Sequence, residues 1–473
     1  MKTLTTDFYE LSMSQGYFDN GLKDTIAYFD VFYRKAPDGA PFAIANGISE
    51  IVEFITNFHY SENDINYLKS LGTFSDKFLE YLAGLHFSGD LWAVADGTII
   101  FPNEPVITVR APMIEAQLLE TAILQIFNFA CLITTKASRI VRTAKGVEIY
   151  EIGSRRAQSE DSAVFGALYA YEAGASGTSC VETGRRFGVP LVGTMAHAFV
   201  QSFDNEYEAF KNYAKSNLND CILIIDTYNV LESGLANAIK VHEKVLKPLG
   251  KRLKGVRIDS GDLAYLSKEV RVRLDEAGMQ DTQIILSNSV DEFVIESLLQ
   301  QRAPVDIFAV GEKLITAQSS PTFGAVYKLV AIEKKGQVIP KIKISDNFSK
   351  ITLPAVKNLY RLYDSNKKVI SDIVCLANEP KPSGRLSIKD PDRPWMMKEV
   401  KQFSVRELRF KFIEHGRRVL KCLTPSQIRK NVAYELSTLS VESTRLHNPQ
   451  VYPINISNEL QQVKDELLQK RYR

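Results

Sequence analysis

From about residue 147 the chain settles into a repeated pattern: a short apolar run, a polar or glycine-bearing end, then a stretch with helical spacing. Val147–Ile152 is a predicted strand, followed by the helical Ser162–Tyr171. Val189–Gly193 precedes a helix through Tyr207–Tyr213, Cys221–Asp226 precedes Ser233–Leu246, and Gly255–Asp259 precedes Leu263–Ala277. Gln283–Leu286 precedes Asp291–Gln300, and Val305–Val310 closes the series before Val326–Ile332. Unbroken apolar runs mark parallel strands buried on both faces, whose chemistry gathers at their carboxyl ends. Intervals on the order of 25 to 35 residues match a strand plus its crossover. The expected fold class is α/β, with an incomplete (TIM-like) α/β barrel rather than an open sheet. No G-x-G-x-x-G follows the first strand, which excludes a dinucleotide fingerprint.

The flanks read differently. Ile26–Tyr33 is a predicted strand broken by the turn Ala36-Pro-Asp-Gly39, Ile48–Phe58 and Leu118–Ile133 have helical spacing, and Ala95–Pro102 reads as a hairpin element. Beyond residue 350 the chain turns polar, with Asn378–Gly384 and Lys389–Pro394 as loops and Asn458–Arg471 as a charged helix. The basic stretch Arg406–Lys421 reads as a solvated hairpin around His415-Gly416. The expected division is an N-terminal α/β domain (1–135), the barrel (136–350) and a small C-terminal module (351–473) packed on the first.

Composition narrows the class of function. At 473 residues, 45% hydrophobic and 24% charged, the chain has the make-up of a soluble protein with a sizeable core. A formal charge of +2 provides no global basic field for nucleic acid. Neither the first residues, Met1-Lys-Thr-Leu-Thr-Thr-Asp7, nor any later run approaches a signal peptide or the roughly 18 uninterrupted apolar residues of a membrane helix. Cys131, Cys180, Cys221, Cys375 and Cys422 are scattered without a C-x-x-C pair, as in reduced cytoplasmic proteins. The dispersed histidines show no zinc-binding spacing. A cytoplasmic protein without membrane or nucleic-acid partners is expected.

The strand ends supply the candidate chemistry. In Arg257-Ile-Asp-Ser-Gly-Asp262, Arg257 and Asp259 project to one face, while Ser260 and Gly261 offer backbone donors to an anion. Arg257 suits a carboxylate or phosphate, and Asp259 suits ribose hydroxyls or Mg²⁺. The same residues also fit an interior ion pair with a helix cap at Ser260 or Asp262. Arg155 and Arg156 are either an anion site or a salt-bridged strand end. His197 is either a nucleophile or proton carrier, or a structural histidine. Asp226, in Asp226-Thr-Tyr228, leaves the same choice, and Tyr9 is either a core aromatic or a ring-stacking platform.

Thr6-Asp-Phe-Tyr9, Phe32-Tyr-Arg-Lys35, Gly153-Ser-Arg-Arg-Ala157, Gly193-Thr-Met-Ala-His197, Asp226-Thr-Tyr228, Arg257–Asp262, Gly324–Leu329 and Leu446–Pro453 occur in one order. As a set they resemble the nicotinate phosphoribosyltransferases over nearly the whole chain. The resemblance implies a homodimer with shared active sites that makes nicotinate mononucleotide and pyrophosphate from nicotinate and phosphoribosyl pyrophosphate. It implies Mg²⁺ on the pyrophosphate, with no direct side-chain ligand apart from Asp259, and ATP hydrolysis through phosphorylated His197. Tyr9 of the partner subunit would stack on the pyridine ring, Arg155, Arg156 and Arg257 would bind anionic groups, and Asp259 the ribose. The loops at Asn288 and Gly311 would hold phosphate. Ser179 stands where nicotinamide-using relatives carry an aspartate, which favours the acid as substrate.

Four strand-end positions depart from that family. Ile152 replaces a ring-stacking phenylalanine, Cys180 an asparagine, Ser289 an aspartate and Glu312 a threonine. A carboxylate about 4 Å from a phosphate costs about 4 kcal/mol at intermediate dielectric, unless Glu312 turns away or Lys313 compensates. Retained His197, Arg156, Arg257 and Asp259 favour an active transferase. Glu312 and Ile152 favour altered base specificity or a catalytically weak ligand-binding relative.

Overall fold

The computed structural model describes residues 2–346, 350–389, 395, 397–452 and 454–471. The chain forms two compact units, one from residues 1–132 with 322–473, the other from 133–321. Of the expected loop Lys389–Pro394, residues 390–394 lie outside the described residues, as does Pro453.

The second unit is built on a curled six-stranded sheet, an incomplete barrel as the strand pattern predicts. Its order is Gly177–Thr178, Glu148–Glu151, Ile307–Val310, Gln283–Leu286, Gly255–Ile258, Ile222–Ile224, and all neighbours run parallel. Side chains on one face alternate with those on the other. Ile222, Ile285, Ile307 and Ala309 form one apolar cluster, with Tyr150 and Ile152 packed against it. Polar caps start the crossover helices: Ser159 for Glu160–Glu172, Asn205 for Glu206–Ser216, Asp262 for Leu263–Glu276 and Asp291 for Glu292–Gln300.

Two expected elements differ. Val189–Gly193 forms no strand; only Leu191 bridges Thr178. Pro190 lacks an N–H for a ladder. Val326–Ile332, expected beyond the last barrel strand, lies in the strand Val326–Lys334 of the first unit, antiparallel to Ile26–Phe32.

The first unit carries a seven-stranded sheet and a four-stranded sheet. Its basic hairpin turns at His415-Gly416 as expected, yet is not wholly solvated: Arg409 is 7% exposed. A buried ion network holds this unit. Arg361, fully buried, pairs with Asp372 and Glu435, each at 2.7 Å. The stretch Met113–Thr143 has the length and mean apolarity of a membrane span but no uninterrupted apolar run, and 61% of its most apolar window is buried. Its last turns carry Lys136 and Arg139, both paired with buried Glu292.

Candidate active site at the carboxyl edge of the sheet

The strand Gly255–Ile258 runs straight into Asp259, and Arg257 and Asp259 leave it on one side. Arg257 Nη2 donates to Asp259 Oδ1 at 3.0 Å, Nε donates to Ser287 Oγ at 2.9 Å, and Nη1 donates to Thr194 Oγ1 at 3.3 Å. Ser287 also donates to Asp259 Oδ1. Two strand ends and the segment that leads into His197 therefore fix the plane of one guanidinium, a cation preorganised for an anion.

Asp226, at the end of the neighbouring strand, has a side chain only 2% exposed. Its Oδ2 accepts from the Asp259 N–H at 3.2 Å and from Ser260 Oγ at 2.5 Å. Its Oδ1 has no hydrogen-bond partner and lies 4.0 Å from His197 Nε2. Asp259 Oδ2 lies 4.0 Å from the same nitrogen. His197 opens the short helix His197–Gln201, and its Nδ1 meets Thr227 Oγ1 at 3.1 Å. Its side chain is 40% exposed, so the ring is held yet reachable. The cap of the following helix is Asp262, which accepts from the Ala264 and Tyr265 N–H groups; Ser260 is free for Asp226.

A second group comes from the adjacent ends of Glu148–Glu151 and Ile307–Val310. Glu151 is fully buried, accepts from Thr178 Oγ1 at 2.6 Å and from the Gly153 N–H, and has its carboxyl pushed up by burial. A Cβ on Gly153 would sit 2.7 Å from Ile315 Cβ, so only glycine lets this turn close. Beyond it, Arg156 Nε lies 3.4 Å from Glu312 Oε2, while Lys313 turns to Asp291 at 2.7 Å. Glu312 is thus compensated by Arg156, and not by Lys313. Arg155 is exposed, and the Ser179 N–H donates to the Glu151 carbonyl at 2.9 Å.

Asn288 and Ser289 both take positive φ, 85° and 49°, a conformation uncommon outside glycine that accumulates at functional strand ends. Gly261 turns with φ 82°. Gly311 opens the turn that carries Glu312. Tyr9 lies on the helix Phe8–Asp19 of the first unit, 43% exposed, its hydroxyl pushed up by burial and by Glu120. Sequence reasoning missed the parts played by Thr194, Thr227, Ser287 and Glu151. Their signal was small hydroxyls, and one buried carboxylate, inside the very motifs that carry the charged residues.

A parallel half-barrel that gathers arginine, carboxylates and a reachable histidine at its carboxyl edge defines an α/β scaffold suited to anionic ligands. Three family models match: the nicotinate phosphoribosyltransferase N-terminal domain over residues 4–128, the family model over 147–367 and its C-terminal domain over 356–464. The chain is 40% identical over 461 residues to nicotinate phosphoribosyltransferase of Bacillus subtilis, covering 97% of this chain and 93% of that one. It is 42% identical over 360 residues to nicotinate phosphoribosyltransferase pncB2 of Mycobacterium tuberculosis, covering 76% and 75%. The crystal structure of human nicotinic acid phosphoribosyltransferase superposes with a TM-score of 0.88 at 29% identity, covering 98% and 99%. The chain belongs to the nicotinate phosphoribosyltransferase family.

Proposed function

We propose that the protein transfers a phosphoribosyl group from phosphoribosyl pyrophosphate to nicotinate, forming nicotinate mononucleotide and pyrophosphate for NAD salvage. The observation that carries this reading is the edge cluster in which Arg257 is fixed beside His197, Asp226 and Asp259. In the reaction the bond from ribose C1 to pyrophosphate oxygen breaks, its electron pair leaving with pyrophosphate. The pyridine nitrogen supplies the pair for the new C1–N bond. Negative charge grows on the leaving group, where Arg257, Arg155 and Arg156 stabilise it. Asp259 and Ser260 hold the ribose, the turns at Gly261, Asn288 and Gly311 receive phosphate, and Ser179 lets the nicotinate carboxylate approach without repulsion.

Mg²⁺ fits the oxygens present. Asp226 Oδ1, buried and unpartnered, and Asp259 Oδ2 face the same ring nitrogen at 4.0 Å. An ion held there would complete its oxygen shell with substrate phosphate and water. Bound there, Mg²⁺ would neutralise developing phosphate charge. ATP hydrolysis is coupled through a phosphoryl group on His197. The active form is a homodimer in which Tyr9 of each subunit stacks on the nicotinate bound by its neighbour; Phe8, Tyr9 and Met13, 53%, 43% and 39% exposed, support such a face. A cytoplasmic setting accords with five free cysteines, four of them buried. Glu312 no longer argues for a weak relative, because its charge is met by Arg156.

The test is purified protein with nicotinate, phosphoribosyl pyrophosphate and Mg²⁺, with and without ATP. Nicotinate mononucleotide is expected, with ATP stimulation that His197→Ala abolishes while slow ATP-independent transfer continues. Absence of product under every condition overturns the reading; persistent stimulation of the variant removes His197 from the coupling.

A further inference from the structure

Glu151 ends the strand Glu148–Glu151 with 0% exposure, so it cannot meet a substrate directly. Burial pushes its carboxyl up, the cost of keeping a carboxylate where an apolar side chain would pack. Both of its oxygens are engaged, and on different segments. Oε2 accepts from the Thr178 hydroxyl at 2.6 Å, and Thr178 Oγ1 in turn accepts from the Cys180 N–H at 2.9 Å. The Glu151 carbonyl accepts from the Ser179 N–H at 2.9 Å. Ser179 is therefore held at its own nitrogen and on either side, all through one glutamate. Oε1 accepts from the Gly153 N–H, where the arginine turn begins, and the Gly153 carbonyl accepts from the Arg156 N–H at 2.8 Å.

We propose that Glu151 is a positioning residue for the base: through Thr178 its carboxylate holds Ser179 where the nicotinate carboxylate approaches, and through Gly153 it sets the arginine turn independently. This rests on the reading that nicotinate is the acceptor and that Ser179 faces its carboxylate. Gly177–Thr178 is a strand of two residues, paired through Tyr150 with Gly177 and Glu151 with Thr178. So short a ladder leaves the turn that follows it to side-chain bonds. A hydroxyl donating to a carboxylate makes a short, charge-assisted bond, stronger than a neutral one. It fixes the Thr178 side chain, and with it the Cys180 N–H that closes the turn behind Ser179. The two arms are chemically separable. Removing the Thr178 hydroxyl cuts the base-side arm and leaves the Gly153 N–H its acceptor. A group that merely filled the core would disturb both turns when altered, and so the binding of base and of phosphoribosyl pyrophosphate alike.

The experiment measures initial rates of full-length wild type, Thr178→Val, Thr178→Ser and Glu151→Gln, varying nicotinate at saturating phosphoribosyl pyrophosphate and the reverse. Thr178→Val should raise the KM for nicotinate about fivefold to tenfold, the range that loss of one hydrogen bond gives. Its kcat and its KM for phosphoribosyl pyrophosphate should stay within about twofold of wild type. Thr178→Ser, which keeps the hydroxyl, should restore the nicotinate KM. Glu151→Gln can accept from Gly153 with its carbonyl but offers Thr178 Oγ1 only an amide N–H. A neutral bond then replaces the charge-assisted one, and the nicotinate KM alone should rise about threefold. The double variant Glu151→Gln with Thr178→Val should be no worse than Thr178→Val, because both act on one tie. Equal rises in both KM values, additive losses in the double variant, an unchanged nicotinate KM in folded Thr178→Val, or no rescue by serine overturns the positioning role and leaves the transferase reading intact. Should Thr178→Val fail to fold, an unchanged nicotinate KM in Glu151→Gln overturns it equally. A wild type that makes no nicotinate mononucleotide overturns the transferase reading itself, and the proposal with it.

Discussion

Glu312 shows how one contact changes a residue's meaning. Taken from the sequence, it is a carboxylate in a phosphate loop and strongly unfavourable. In the structure it meets Arg156 at 3.4 Å, with side chains 62% and 49% exposed. Exposed pairs of this kind contribute about 0–1 kcal/mol, so a substrate phosphate can displace Glu312 from Arg156 at modest expense. Glu312→Thr is therefore expected to lower the KM for phosphoribosyl pyrophosphate by no more than about fivefold, with kcat nearly unchanged. Steady-state kinetics at low salt checks it; a higher KM would mean that Glu312 helps to hold substrate. Charged candidates of the edge were legible because arginine, aspartate and histidine at buried strand ends are conspicuous. Thr194, Thr227 and Ser287 were not, because a hydroxyl's role depends on which strand end lies beside it. Cys180 marks a smaller loss: it begins the helix Val181–Phe187 with no side-chain cap, where asparagine would provide one.

At the scale of elements, the turn after Asp226 depends on one glycine. A Cβ on Gly234 would lie 1.9 Å from the Ile225 carbonyl oxygen, the residue that precedes Asp226. Gly234→Ala must push the turn Val230–Gly234 off the strand end, which overpacking arguments put at about 1–3 kcal/mol, with more expected against backbone. Both tryptophans, Trp92 and Trp395, belong to the first unit. Loss should therefore appear in urea unfolding followed by far-UV circular dichroism, along with reduced kcat/KM; unchanged stability would mean that the turn adjusts freely. The parallel strands and their helices were readable because both apolar run length and crossover spacing point to one architecture. Val189–Gly193 was misread for the opposite reason: it has the apolar run, but Pro190 removes a ladder donor. Val326–Lys334 failed differently, since a strand's partner, here Ile26–Phe32 about 300 residues earlier in the chain, leaves no local mark.

Across the molecule, buried titratable groups set how stability responds to pH, and they oppose one another. Glu10, Asp96, Glu104, Glu115 and Glu151 are all pushed up by burial. Their contribution is fully present below the usual carboxylate range and is lost as pH rises through their folded values. His242 acts in the other direction. It is 4% exposed, and its Nδ1 accepts from the Leu253 N–H at 3.3 Å. Burial lowers its pKa below 6.5, aided by Arg252 and Lys247 and opposed by Glu243 and Asp281. Protonation would put an N–H against an N–H donor. A depressed imidazole contributes stability that is fully present above the unfolded value and lost as pH falls through the folded one, with a ceiling of about 1.4 kcal/mol per pH unit. Because the raised carboxyls act in the opposite sense, the sign for the wild type alone decides nothing; the difference from a variant does. His242→Asn keeps an acceptor near the position of Nδ1 and cannot titrate. Between about pH 7.5 and about pH 5, amide exchange at Leu253 and along Gly255–Ile258, corrected for intrinsic rates, should lose more protection in wild type than in His242→Asn. Equal losses in the two proteins would show that His242 does not govern the acid response of the barrel unit, and would leave that response to the carboxylates.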